Sequence, residues 1–152
     1  MEELITLSIG IGLVISLAFS ELFGLAAGGM VVPGYVALFL DSPLIIVFTL
    51  TASYFTYFIV HSMGTVMIIY GRRRTVLMII IGFTIGALMR FFGPVEFPAA
   101  SIDLTVVGYI IPGLIAIWID RQGVVESFSA LIIAGVIVRL TLILIYGGEM
   151  VL

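Results

Sequence analysis

Charged and turn-forming positions fall in narrow clusters, separated by long apolar runs. Leu4 to Ser20 carries no charge, and the run extends to Phe23 if Glu21 sits at a membrane boundary. Ser42 to Gly71 is a 30-residue stretch without Asp, Glu, Lys or Arg, closed sharply by Arg72, Arg73 and Arg74. Thr75 to Met89, Leu104 to Ile119 and Val124 to Tyr146 follow; the last holds Glu126 near its start and Arg139 about two thirds of the way along. Arg90, Gly93, Pro94 and Pro98 end the first of these three runs, and Glu96 to Asp103 reads as a polar connection. A helix crossing the bilayer needs about 20 mostly apolar residues, so the pattern predicts an all-α integral membrane protein.

Two of the apolar elements are interrupted. Gly24 to Gly34 contains Gly28, Gly29, Pro33 and Gly34, and Leu104 to Ile119 contains Pro112 and Gly113. Proline lacks the N–H that a helix interior needs, so each is expected to be a broken or re-entrant element. At an offset of 79 residues, Gly29 to Asp41 aligns with Gly108 to Asp120, identical or closely similar at eleven of thirteen positions. The chain therefore reads as two repeats of span, Pro-Gly-broken element, span, over residues 1–71 and 72–152. If the broken elements cross, there are six transmembrane elements and the N-terminus lies outside; if they are re-entrant, there are four spans and the N-terminus lies inside. In either case the positive-inside rule makes Arg72 to Arg74 cytoplasmic.

Composition sharpens the class. The chain is 62% hydrophobic and 10% charged, which excludes a water-soluble globule and leaves no room for a separate catalytic domain. All six cations are arginine against nine carboxylates, so the net charge is -3 and nucleic acid is excluded as a partner. Without cysteine there is no disulfide framework or thiolate metal site, and one histidine with scattered acids predicts no metal site of any kind. The absence of lysine removes a P-loop. Met1, Glu2 and Glu3 open the chain and no cation precedes Arg72, so the first apolar stretch is expected to be retained rather than cleaved.

Some residues could carry chemistry. Proline suits a first helical turn, so Pro33 and Pro112 could each begin a half-helix, with Gly34 and Gly113 beside it, whose free N–H groups attract carboxylates; the alternative is a kink in a packed helix. Arg139 is deep in the last span, where an unpaired arginine costs about 2.5 to 3.5 kcal/mol, and is expected to face the protein and meet a carboxylate or an anionic substrate. Arg90 is near a span end and can snorkel. Asp41 and Asp120 end the two motifs at matching positions and could cap the following helices, Ser42-Pro43 being a typical helix opening. Glu21 has an interfacial reading or a functional one. His61, beside Tyr54, Tyr57 and Ser62, is a packing histidine or a proton relay. Arg72, Arg73 and Arg74 are a topology signal, a lipid-headgroup contact or a docking site for an acidic partner.

The string Glu21-Leu-Phe-Gly-Leu-Ala-Ala-Gly-Gly-Met-Val-Val-Pro-Gly-Tyr35, then Tyr70-Gly-Arg-Arg-Arg74, then Ile110-Ile-Pro-Gly-Leu-Ile-Ala116 with Gln122-Gly123, resembles the CapC (or PgsC) family of membrane proteins of poly-γ-glutamate capsule biosynthesis. The likeness covers nearly the whole chain, departing at Leu22, where a lysine is common, and at Trp118 to Arg121. It implies a multi-pass cell-membrane subunit of the poly-γ-glutamate synthase complex. That subunit would be non-catalytic and bind no cofactor, acting beside a cytosolic ligase subunit that uses ATP and a membrane-anchored, extracellular-facing subunit. The polymer, poly-γ-glutamate, and membrane lipids are the other partners implied. No catalytic residue transfers from the family. Pro33, Gly34, Pro112, Gly113, Arg139 and Arg90 are the candidate polymer path, Arg72 to Arg74 the candidate docking site, and Glu21, Asp41 and Asp120 the possible functional acids. A non-conducting scaffold that anchors the ligase and a small-molecule secondary transporter are the alternatives.

Overall fold

A computed structural model describes residues 2–92 and 102–147, with the side chains of all of these except 90 and 102–108. It holds α1 (Glu2–Phe23), α2 (Val32–Leu38), α3 (Pro43–Val66), α4 (Arg72–Phe92), α5 (Ile102–Gln122) and α6 (Val124–Tyr146), with no strand among the described residues. Three of these, α1, α3 and α6, are long and apolar enough to cross a membrane. The arrangement of polarity agrees: Ser8, Ser16, Ser53, Thr56, Ser127 and Arg139 are buried, while Val14, Leu17, Phe58, Ile133, Leu140 and Leu144 are exposed. In lipid, large apolar side chains can face outward, and small or polar residues mediate helix contact.

Glycine marks the joints. Gly24 follows α1 with φ +65° and its N–H reaches the Ser20 carbonyl at 2.9 Å, a left-handed helix end. Gly71 (φ +62°) precedes α4, and Gly123 (φ +105°) is the whole connection between α5 and α6.

The chain divides into two compact units. Unit 1 comprises residues 1–43 and 125–152, and so gathers α1, α2 and α6; unit 2 comprises residues 44–124 and holds α3, α4 and α5. Each unit thus joins two helices that are consecutive in sequence with a third from the other half of the chain. In unit 1, α1 lays Ser8, Gly12, Ser16 and Phe19 inward, a stripe at helical spacing. A Cβ on Gly12 would stand 2.7 Å from the Gly34 nitrogen, and one on Gly34 would stand 2.7 Å from the Ser8 carbonyl oxygen, so two backbones touch where neither has a side chain. Ser8 Oγ donates to the Gly34 carbonyl at 2.8 Å, and Ser16 Oγ to that of Gly29 at 3.2 Å. From α6, Ala134, Gly135, Val138, Arg139 and Leu142 are buried; Val138 and Leu142 form a core with Ala37, and Gly135 abuts Val36.

Unit 2 repeats the contact with different residues. Gly82 of α4 meets Gly113 of α5 so closely that a Cβ on Gly82 would lie 2.5 Å from the Gly113 backbone. Gly113 in turn lies on Met78 and Ile79. Val60 of α3, Met78 and Ala116 make the core.

The two Pro-Gly elements differ from each other. The first is broken as expected: residues 24–31 are non-helical, and Pro33 lies in the first turn of α2, which at 7 residues is only about 10 Å long. The second is not broken, because α5 runs through Pro112 without interruption. Gly24 and Gly28 take φ of +65° and +75° in the first element, and the residues 79 positions later are Asp103 and Val107. The β-branched Val107 resists the left-handed region that Gly28 occupies, which favours an unbroken helix in the second element. Hence Pro112 starts no half-helix. Asp120 caps no helix either, since it lies within α5, two residues before its end, and Gly123 precedes α6. The expected polar connection from Glu96 falls mainly outside the described residues.

Candidate functional site

Arg139 sits on the buried stripe of α6, in line with Ala134, Gly135, Val138 and Leu142. Its Nη2 donates to Asp41 Oδ2 at 2.6 Å and its Nη1 to the Ala37 carbonyl at 3.3 Å. Ala37 is in the last turn of α2, where carbonyls lack partners within the helix and carry the negative end of the dipole. Arg139 therefore holds the end of the half-helix and the acid just after it. The arginine side chain is 11% exposed and the aspartate 69%, so the cation is fixed in the protein while its counter-ion faces outward. The planar guanidinium fork thus spends one N–H on a carboxylate and one on a helix-end carbonyl.

Asp120, the residue matched to Asp41 in the sequence comparison, is also ion-paired, with Arg74 of α4. His61 of α3 lies beside this pair, its Nδ1 3.5 Å from Arg74 Nη2 and its ring 5.4 Å from that of Tyr57. Arg74 thus points into unit 2, whereas Arg72 and Arg73 are exposed on the first turn of α4. The three arginines thus stand in two environments, Arg74 ion-paired and half-buried, Arg72 and Arg73 exposed. Arg121 lies with its guanidinium carbon 5.3 Å from the Trp118 ring centroid, a cation–π distance.

Pro33, Gly34, Pro112 and Gly113 are all buried, and both glycines are spent on helix–helix contact. Glu21 is exposed in the last turn of α1. Arg90 lies in α4, but its side chain is outside the described residues. The structure therefore brings Asp41 to Arg139, and Asp120 to Arg74, and leaves Glu21 apart. Sequence reasoning missed Ser8, Gly12 and Ser16 of α1 and Gly82 of α4, the surfaces on which the Pro-Gly motifs lie. The signal was present as small residues four apart, the pattern that marks helix contact in membranes.

Comparison with known proteins bears on this geometry. The family model described as "Capsule biosynthesis CapC" matches residues 11–128, a range that takes in both Pro-Gly motifs and Arg72 to Arg74. The "PGA biosynthesis protein CapC" of Bacillus subtilis (strain 168) is 37% identical over 127 residues, covering 82% of this chain and 85% of the relative. The "Capsule biosynthesis protein CapC" of Bacillus anthracis is 39% identical over 114 residues, covering 74% of this chain and 76% of that protein. No solved structure matches the chain. With the family model matched over most of its length and two relatives covered across three quarters or more of theirs, this chain belongs to the capsule biosynthesis CapC family.

Proposed function

We propose that this protein is an integral membrane subunit of a poly-γ-glutamate synthase complex, supporting the synthesis and export of the anionic polymer. The observation that carries the reading is the family match over residues 11–128, together with relatives named for PGA and capsule biosynthesis. In this reading the chain supplies no ligation chemistry: ATP is used by a cytosolic ligase subunit, and the complex is completed by a membrane-anchored, extracellular-facing subunit. The chain crosses the cell membrane several times. Beyond α1, α3 and α6, the helices α4 and α5 are 21 residues each and serve as further spans, with α2 as a half-helix element. The two glycine-on-glycine contacts, Gly12 with Gly34 and Gly82 with Gly113, support an origin by duplication of a three-element unit. Arg139, with its exposed counter-ion Asp41, is the point in the apolar interior best suited to receive a carboxylate of the polymer.

The scaffold reading is favoured by a different observation, the burial of Pro33, Gly34, Pro112 and Gly113 in helix contacts. There, Arg72 and Arg73 dock the ligase and no polymer passes. The two readings separate when Asp41→Asn and Arg139→Gln replace the wild-type chain in the producing cell, and both ligase copurification and polymer outside the cell are measured. Intact assembly with polymer output reduced several-fold supports a path at Arg139. Loss of assembly in step with output supports the scaffold, and full assembly with full output removes Arg139 from the function. Independent uptake of a small solute without any copurifying ligase would point instead to a transporter.

A further inference from the structure

We propose that unit 2 carries a phosphate-binding pocket at the turn into α4, built from Arg74, Thr75 and Arg121, which takes the phosphate of a lipid headgroup or a free phosphate ion. A cavity of about 150 Å³ opens there, walled by Gly71, Arg74, Thr75, Asp120 and Arg121 on an apolar floor of Met78 and Ile117. The volume holds several waters, and so a single phosphate group.

The wall offers donors in excess of the acceptors it contains. Arg74 Nη2 is engaged by Asp120, but its Nε is buried and has no hydrogen-bond partner among the described residues. A buried guanidinium N–H left unpaired is costly, and an anion in the cavity beside it would relieve that cost. Thr75 Oγ1 reaches the Gly71 carbonyl only at 3.5 Å, a bond weak enough to be given up. Arg121 is exposed, rests on Trp118, and forms no ion pair among the described residues. Two guanidinium groups against one carboxylate leave the lining positive, and Arg72 and Arg73 stand on the same helical turn as Arg74.

Donors arriving from two guanidinium groups and a hydroxyl suit the several oxygens of a phosphate, and Arg74 already holds one planar carboxylate in Asp120. The turn closes α3, a helix of membrane-spanning length, which puts the cavity at the boundary where headgroup phosphates lie. The inference rests on unit 2 alone and does not depend on the polymer reading.

The test uses the full-length protein in neutral detergent at fixed ionic strength. It is titrated in a calorimeter with inorganic phosphate, with short-chain phosphatidic acid, and with the matching diacylglycerol that lacks the phosphate. Saturable binding of phosphatidic acid but not of diacylglycerol is expected, weakened roughly tenfold by Arg121→Gln or Thr75→Val, each of which removes one donor to a charged ligand. Arg73→Gln, outside the cavity, should change it by less than about twofold, as for a screened surface charge. Binding of phosphatidic acid alone assigns the site to a lipid headgroup, and comparable binding of inorganic phosphate assigns it to the free ion; either supports the pocket. Equal binding of diacylglycerol, equal weakening by Arg73→Gln and Arg121→Gln, or no saturable binding at all would each overturn it.

Discussion

Arg139 of α6 donates to Asp41, 98 positions earlier in the chain, at 2.6 Å, and the two differ sharply in exposure, 11% against 69%. The asymmetry decides what each contributes. The arginine needs its partners because it is buried, whereas the aspartate can be solvated without the arginine.

The pair therefore predicts unequal costs for two substitutions. Asp41→Asn leaves a buried cation short of a counter-ion and should destabilise the protein by about 1 to 2 kcal/mol, less than a fully buried pair because the acid is exposed. Arg139→Met removes the charge while keeping the volume, and should stay within about 1 kcal/mol of wild type or exceed it. Thermal unfolding in detergent, followed by size-exclusion fluorescence, compares them; a larger loss for Arg139→Met than for Asp41→Asn would contradict the assignment.

Gly34 and Gly113 should tolerate nothing larger, because a Cβ would fall 2.7 Å and 2.8 Å from backbone oxygens of Ser8 and Met78. Gly34→Val or Gly113→Val is expected to cost about 3 kcal/mol or more, as backbone rather than a flexible side chain must yield. Gly10 is the internal control. It lies in α1 with nothing within 4 Å of a Cβ, so Gly10→Ala should raise stability by about 0.5 to 1 kcal/mol through helix propensity. The same melting series reads both.

Removal of residues 124–152 takes away Gly135, Val138, Arg139 and Leu142, the face that α6 presents to Val36 and Ala37. Unit 1 should then open around α2 while unit 2, which lies within residues 44–124, keeps its core. Limited proteolysis should gain cuts at residues 24–31 in the truncated protein and none between residues 72 and 92. Cuts appearing equally in both stretches would argue that the units are not separately cored.

Gly123 joins α5 to α6 at φ +105°, well outside the left-handed well near +57° that an L-residue can reach. Gly71, at +62°, lies close to that well. Gly123→Ala should accordingly cost more than Gly71→Ala, by about 1 kcal/mol, in the same unfolding measurement.

How much was legible in the residues follows from these particulars. The existence and order of the long helices were written in the charge-free runs, since lipid leaves the backbone no alternative to internal hydrogen bonding, but α3 ends at Val66, short of Gly71, and α4 takes in Arg72 to Arg74 and Arg90. Val124 to Tyr146 was delimited to the residue, and the break before Pro33 was marked by Gly24, Gly28 and Gly29. The matched motifs brought Asp41 and Asp120 forward as an equivalent pair, and Arg139 was marked by the cost of its charge in an apolar helix.

Tertiary structure decided the partners. Asp41 and Asp120 occupy matching positions, yet one is held by Arg139 of α6 and the other by Arg74 of α4. No periodicity records that difference, because it depends on which helix packs against which. Nor could local pattern show that α6 closes on α1 and α2 while α3 closes on α4 and α5, since an apolar helix surface has many near-equivalent neighbours in lipid. The choice is made where backbones can approach: Gly12 on Gly34, Gly82 on Gly113, and Gly135 on Val36. The sequence by itself thus determined which segments are helical and that Arg139 needs a partner, but it marked both Pro-Gly elements as interrupted where only the first is. Only the fold decided who that partner is, because close packing and the burial of Arg139 are properties of three helices together.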